Sequence, residues 1–435
     1  MATSLWRNWS GTETAEPVRT VKPGNTSEVV AAVRAAADER LRVKAAGSGH
    51  SFSGVGVPEG VLVDMSDLDG VTRVDTGTNV VTVEAGMPMW RLNQVLDAHG
   101  LALENMGDID RQTVSGAIST GTHGTGDRYR GLAWQVCGLQ LVLADGSVVR
   151  CSPEQRPELF SAARIGLGAL GVITEVSIQC VPAFQLQAVE MPMRLDAVLE
   201  ALDELVAEND HFEFYWFPHT ARTLTKQNNR YSMEERKRRP TRLEYWWSEA
   251  FTENTLFEAS NRVGARFPQA VRSLNRLAGR VWSARHYTDV SHRVFVSPRR
   301  VVFREMEYAV PREVLPEVLR ELRTLVEERG FNVSFPVEVR FAAADDVWLS
   351  TAHGRRTAYV AVHQYHRHEH EEYFKAAAEI FNAVEGRPHW GKMHWLDAKT
   401  LGERYPRFDD FLAVRDEVDP DRRFTNSYLD RVLGA

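Results

Sequence analysis

The sequence predicts an α+β protein in two parts, and three observations predict it. Up to residue 182, short strands and helices follow one another without the regular alternation of a doubly wound sheet. From about Ala183 onward two similar strand-helix-strand passages appear, which read as a separate α+β domain. A chain of 435 residues, 43% hydrophobic and 26% charged, is long enough to bury a core in two or three such units.

In the first part, Thr26 and Ser27 open a helix whose Val29, Val30, Val33 and Ala37 share one apolar face. Leu41 to Ala45 alternates as a strand, and Val61 to Asp64, Val71 to Asp75 and Val80 to Glu84 read as three more. A helix carrying Trp90, Leu92, Val95 and Leu96 comes next. Leu139 to Leu143 and Val148 to Arg150 flank Asp145-Gly146, a hairpin signal, and Val172 to Val181 closes the region before Pro182. In the second part, strands centre on Phe212 to Trp216, on Val301 to Val310 and, after a helix, on Val333 to Phe341. The final stretch is polar and aromatic and is expected to return to the first domain, which divides the chain at 1–182, 183–385 and 386–435.

Charge and cysteine usage exclude several classes of function. A net charge of −7 is modest for this length, so neither nucleic acid nor an acidic membrane is an expected partner. Cys137, Cys151 and Cys180 are odd in number and lack C-x-x-C spacing, which argues against a disulfide framework or a structural zinc. No apolar run is long enough to span a bilayer, the N-terminus does not read as a signal peptide, and the expected location is cytoplasmic. Arg230 to Trp247, rich in Arg and Lys with interleaved Glu234, Glu235 and Glu244, is expected to be a solvated helix or loop.

The turn Gly47-Ser48-Gly49-His50-Ser51 follows a strand directly. Its backbone amides are free of bulky side chains and suit a phosphate, and His50 adds a nucleophilic ring nitrogen. Gly121-Thr122-His123-Gly124 is a second glycine-rich turn, and two such turns point to one large phosphate-bearing cofactor. Gly166 to Gly171 fits G-x-G-x-x-G, yet it follows a helix, Pro157 to Arg164, and opens into a strand. That order is the reverse of a nicotinamide-binding fingerprint. His363, His366, His368 and His370 lack a defined ligand spacing, so no metal is expected there.

Taken in order, Gly47 to Ser51, Gln112 to Gly124 and Gly168 to Thr174 resemble the flavin-domain motifs of the vanillyl-alcohol oxidase family. Arg387-Pro388-His389-Trp390-Gly391-Lys392 resembles its sugar-lactone and alditol branch. The resemblance covers nearly the whole chain. It implies a two-part FAD-binding domain and a substrate (cap) domain built on an antiparallel sheet. It also implies that His50 is joined to the 8α-methyl of the isoalloxazine, so that FAD is covalent, with no second, cysteinyl bond. Gly47, Ser48, Gly49, His50, Ser51, Thr113, Ser115, Gly116, Thr120, His123, Gly124, Ile173 and Lys392 are then expected to hold the cofactor. Taken singly, each small residue in 112–124 is equally consistent with tight sheet packing.

On the substrate side, residues two apart in a strand face the same way, so Glu338 and Arg340 project together. Spacing alone describes a common surface ion pair. The resemblance instead makes Glu338, Arg340, His363 and Lys392 the catalytic set, with carboxylate accepting from substrate hydroxyls and cations stabilising negative charge. The implied reaction oxidises a hydroxyl of an aldono-1,4-lactone such as gulono- or galactonolactone by hydride transfer to flavin N5. An open-chain polyol is the alternative, a non-catalytic FAD-binding protein a third reading, and oxygen or another acceptor reoxidises the flavin.

Overall fold

The computed structural model describes residues 5–231, 255, 257–281, 284–297 and 299–435. Most of the basic stretch read as a solvated segment, 232–247, lies outside them. After a short antiparallel pair, Trp6–Arg7 with Thr14–Ala15, the first part runs through β1 (Arg19–Val21), α1 (Thr26–Asp38), β2 (Val43–Ala46) and β3 (Val61–Asp64), whose strands form a parallel sheet in the order β1-β3-β2. The cap of α1 is Asn25, one residue before the expected signal, whose side chain accepts from Glu28 N; Val29, Ala32, Val33 and Ala36 are buried.

There follow β4 (Val71–Asp75), β5 (Val80–Glu84), α2 (Met89–Ala98), α3 (Val114–Ser119), β6 (Val136–Val142), β7 (Val148–Cys151), α4 (Pro157–Ala163) and β8 (Val172–Gln179). The five strands make an antiparallel sheet in the order β7-β6-β8-β5-β4. At the β6–β7 hairpin Gly146 takes φ +77°, which an L side chain rarely adopts, and Asp145 Oδ1 accepts from Ser147 N.

The second part contributes β9 (Gln185–Arg194), β10 (His211–Trp216), β11 (Arg222–Tyr231), β12 (Arg285–Val290), β13 (Phe303–Pro311), α5 (Leu315–Glu328), β14 (Val337–Ala342), β15 (Thr357–Tyr365), α6 (Glu371–Ala383) and β16 (Arg387–Pro388). Its eight strands pair antiparallel in the order β12-β9-β11-β10-β14-β15-β13-β16. The strand period of two divides this sheet into two unlike faces. Phe212, Phe214, Met306, Tyr308, Val337, Val339, Phe341, Val360 and Val362 form a core with Leu315, Leu319 and Leu322 of α5 and Phe374 and Phe381 of α6. The intervening residues Glu213, Tyr215, Glu305, Glu307, Glu338, Arg340, Tyr359 and His363 are also buried, on the opposite face.

After β16, α7 (Ala398–Arg404), α8 (Phe408–Val418) and α9 (Ser427–Leu433) carry Leu401, Phe411, Leu429 and Val432 into the core of the first part. The C-terminal stretch therefore adds an edge strand to the cap sheet before it packs against the first domain. No helix among the described residues is long and apolar enough to cross a membrane.

His211 and His394 are among the histidines buried as neutral rings. Burial pulls His211 down to about 4, although its bond to Thr125 O raises it slightly, and burial with Arg431 nearby pulls His394 to about 3. The unfolded chain therefore takes up protons first as pH falls below the ordinary histidine value. Stability is full above about pH 6.5 and is lost toward pH 4, at about 1.4 kcal/mol per pH unit for each such ring. Urea midpoints measured across this window should fall with pH, and less steeply in His211→Gln than in wild type. A flat wild-type profile contradicts the assignment.

Candidate active site

At the end of β2 the chain enters the Gly47–Ser51 turn. A Cβ on Gly47 would overlap the Thr113 side chain, so glycine lets this turn meet the start of α3. Thr113 caps α3 by accepting from Gly116 N at 3.3 Å, and Gly49 takes φ +64°. Opposite stand Gly168, also at φ +64°, and Ile173 at the start of β8. As the order of motifs required, α4 precedes this glycine turn and β8 follows it.

These segments enclose a cavity that opens to solvent, of about 110 Å³. Gly47, Ser48, Gly49, His50, Ser51, Thr113, Ser115, Gly116, Thr120 and Ile173 all line it, with Lys44, Gln112 and Gly168. Ser115 Oγ donates to Ala85 O at 2.8 Å and Thr120 Oγ1 to Gly116 O at 3.1 Å. Both hydroxyls therefore keep lone pairs, not protons, for a ligand. A backbone cradle that side chains would block, beside a neutral nucleophile, fits a dinucleotide such as FAD.

His50 is half-buried and stacks on Trp9 with ring centroids 5.6 Å apart. Burial, with the Lys392 and Arg111 charges nearby, pulls its pKa to about 4, so the ring is neutral near pH 7. A second cavity shares His50, Ser51, Gln112 and Thr120 with the first and ends at His389, Gly391 and Lys392. The two cavities thus adjoin, a path of neighbouring spaces from the glycine turn to Lys392.

His123 and Gly124 are not among the residues that line either cavity. They sit at the seam with the cap sheet: His123 Nε2 lies 2.7 Å from Glu307 Oε1, its Nδ1 lies 2.9 Å from Gly124 O, and its ring stacks on Tyr359. A Cβ on Gly124 would overlap Asn105 and the Met106 carbonyl, so this glycine serves close packing.

The polar face of the cap sheet meets the Lys392 end of the path. Arg340 Nε donates to Glu213 Oε2 at 2.9 Å, and Nη2 pairs with Glu338 and, at 3.2 Å, with Asp108. That Nη2 has no aligned hydrogen bond, its charge being met by the two carboxylates on either side. Arg299 Nη2 holds Asp108 at 2.6 Å, and Tyr215 OH donates toward Glu213 and Glu338 at 3.1 and 3.3 Å. Nearby, Glu305 pairs with Lys392 Nζ and lies 3.4 Å from His363 Nε2, which is 4.0 Å from Glu338. Backbone bonds from His389 N to Glu307 O and from Met393 N to Glu305 O, each 3.0 Å, set Lys392 against β13.

Two carboxyls in this cluster are pushed opposite ways. Burial raises Glu338, helped by Asp108 and Glu213 and opposed by Arg340. Burial would raise Glu305 too, but the Lys392 and His363 charges prevail and hold it down to about 2. Burial would likewise lower Lys392, yet Glu305 and Glu307 raise it, so an ammonium persists there. Such a divergence separates a fixed anion from a group able to exchange a proton.

The sequence reading brought Glu338, Arg340, His363 and Lys392 forward, and the fold collects all four. It missed Asp108, Glu213, Tyr215, Arg299, Glu305, Glu307 and the cavity-lining Lys44. Lys44 Nζ donates to the carbonyls of Leu167, Gly168 and Phe424, each at 3.3 Å, and burial lowers it to about 7. In Phe212 to Trp216 and Phe303 to Tyr308, acidic residues alternating with large apolar ones were an available signal. Asp108, in a loop, gave none. Of the other histidines, His366 bonds Val302 O and His370 bonds Arg304, so they do not converge. Among the described residues, His123, Glu307 and His389 have ligand atoms within 4.8 Å of one another, with His123 Nε2 hydrogen-bonded to Glu307 Oε1.

Comparison with known proteins agrees with this geometry. A family model described as FAD binding domain matches residues 17–152, and one described as D-arabinono-1,4-lactone oxidase matches 176–432. An L-gulono-1,4-lactone dehydrogenase of Mycobacterium tuberculosis is 44% identical, with 99% of each chain covered. An L-gulonolactone oxidase of Bos taurus is 34% identical and an alditol oxidase of a Streptomyces species 31%, each with 98% of both chains covered. A solved cholesterol oxidase, 18% identical, superposes with a TM-score of 0.83 over 99% of this chain and 97% of its own, which speaks for the fold alone. The chain belongs to the D-arabinono-1,4-lactone oxidase family, with an FAD-binding domain ahead of the domain that names it.

Proposed function

We propose that this protein oxidises a ring hydroxyl of an aldono-1,4-lactone of the gulono or galactono type, with FAD held through His50. The observation that carries the reading is the convergence of Arg340, Glu338, Lys392 and His363 at one end of a path that begins at the His50 turn. FAD, when bound, supplies the hydride acceptor at N5.

The chain's own residues do the rest. His363 Nδ1 lies 3.0 Å from Pro336 O, an acceptor, so Nδ1 carries the hydrogen and Nε2 the lone pair. His363 is thus placed to take the hydroxyl proton, and Glu305 at 3.4 Å then stabilises the imidazolium. Arg340 Nη2 and Lys392 stabilise the oxygen as its charge grows, and Glu338 accepts from neighbouring hydroxyls. Relatives named for gulonolactone at 44 and 34% identity favour a lactone. The alditol oxidase relative at 31% keeps an open-chain polyol as the second reading. Three unpaired cysteines, with Cys151 and Cys180 buried, support a reducing, cytoplasmic setting.

Anaerobic mixing tests the reading: a gulono- or galactonolactone should bleach the visible flavin band, more efficiently than xylitol or sorbitol. If no lactone does so, the assignment is wrong. Acid precipitation of wild type should leave the yellow colour in the pellet, whereas His50→Ala should release it to the supernatant. Wild-type flavin in the supernatant contradicts the covalent tether.

Glu305→Gln removes the carboxylate that fixes Lys392 and His363. It should lower kcat by roughly a hundredfold, on the scale of general acid–base effects, while KM changes little. Because Glu305 raises Lys392, the alkaline limb of the pH–rate profile should move to lower pH. An unchanged pH profile assigns Glu305 a structural part only.

A further inference from the structure

A third cavity, of about 470 Å³, is lined by Glu13, Met393, His394, Trp395, Tyr428 and Arg431. It shares two wall residues with the path already described. Phe52 lines both this cavity and the one that ends at Lys392, and Ser53 lines both this one and the glycine-turn cavity. The segment directly after His50 therefore forms part of a wall common to the third cavity and the cofactor path. Phe52 is buried and aromatic, with Lys392 Nζ 5.0 Å from its ring centroid.

The lining has a distinctive chemistry. Trp395 exposes 41% of its surface, where tryptophan is ordinarily well buried, and Lys375 sits 5.6 Å from its ring centroid. Met393 and Phe52 add soft apolar surface. Arg431 spends one N–H on the Leu396 carbonyl, and a guanidinium has five. No hydrogen bond engages the Glu13 carboxyl among the described residues, and burial raises its pKa. His394 Nδ1 is buried without a partner, while Nε2 meets Tyr428 OH at 2.9 Å. An indole face with separate polar groups suits a flat ring with oxygens at its edge. Molecular oxygen needs no such cavity, and a second sugar would leave the aromatic wall toward the cofactor path unexplained.

We propose that this cavity binds the second substrate, a planar quinone stacked on Trp395 with a carbonyl oxygen toward Arg431. The proposal rests on the flavin-dependent oxidation argued above. In the full cycle the substrate carbinol loses two electrons and two protons as it becomes a ketone. The quinone gains two electrons and, at its two oxygens, two protons, leaving as the hydroquinone, with FAD unchanged over the cycle. Glu13 is the carboxyl placed to pass one of those protons.

Menadione is a suitable probe. Calorimetry on the holoenzyme without lactone should show saturable binding, weakened roughly tenfold in Trp395→Ala and largely restored in Trp395→Phe. In anaerobic stopped flow, Trp395→Ala should leave lactone-driven bleaching as in wild type, yet menadione should reoxidise the flavin more slowly. Trp395 is partly exposed, so its loss does not threaten the core, and circular dichroism checks this. Absence of saturable binding in wild type, or equal binding and reoxidation in Trp395→Ala, overturns the proposal. If lactones fail to bleach the wild type, the lactone reading falls, while the calorimetry still decides the quinone site.

Discussion

The structure depends on the burial of a charged sheet face. One side of the eight-stranded sheet packs conventionally, with Phe212, Phe214, Val339 and Phe341 against α5 and α6. The other side carries Glu213, Glu305, Glu307, Glu338 and Arg340, all buried. Each such charge alone would cost several kcal/mol to desolvate, so the face closes only because partners arrive from elsewhere in the chain. Asp108 and His123 come from the first domain, Arg299 from the segment before β13, and Lys392 from the segment after β16. Losing one partner strands the other, at a cost of about 3–5 kcal/mol. The same contacts that join the two domains therefore fix the orientation of Glu338, Arg340 and Lys392.

That dependence explains the path of the C-terminal stretch. The backbone of 387–393 is pinned to β13 through Tyr308, Ala309, Glu305 and Glu307, and only afterwards do α7 to α9 return to the first core. Trp390, fully buried, donates to Leu349 O at 2.8 Å and fixes the turn before Lys392. Gly391 sits where a Cβ would come within 3.3 Å of both Ser51 Oγ and His389, and Phe52 N donates to Gly391 O at 2.7 Å. The segment leaving the His50 turn and the Lys392 turn are thus bonded directly to each other, which sets the distance between His50 and the buried charges around Lys392 without a long loop.

Legibility in the sequence followed the range of the interactions. Strand and helix periods, the Asp145-Gly146 hairpin and the helix-before-strand order around Gly166 are local, and each was readable from a few residues. Glu338 and Arg340 were readable as a pair because strand geometry puts residues two apart on one side. Whether that side faced water or another domain was not, because the answer lies in Asp108, more than 200 positions away. Glu305 and Glu307 show the same limit: their alternation with Met306 and Tyr308 marks a two-faced strand, but the groups that neutralise them enter from residues 123 and 392. His123 illustrates the converse. Its glycine-rich surroundings look like a cofactor loop, yet its ring turns away from the cavity to pair with Glu307.

The cluster also accounts for how Lys392 keeps its charge in a buried site beside His363. Lys392 remains an ammonium because Glu305 and Glu307 outweigh its desolvation. Glu305 touches both Lys392 and His363, and a Glu338 oxygen lies 4.0 Å from the same His363 nitrogen. Lys392 and His363 thus share two carboxyls in a region where the low dielectric magnifies each interaction. The negative charges that make the sheet face costly to bury are the ones that keep a lysine charged within it.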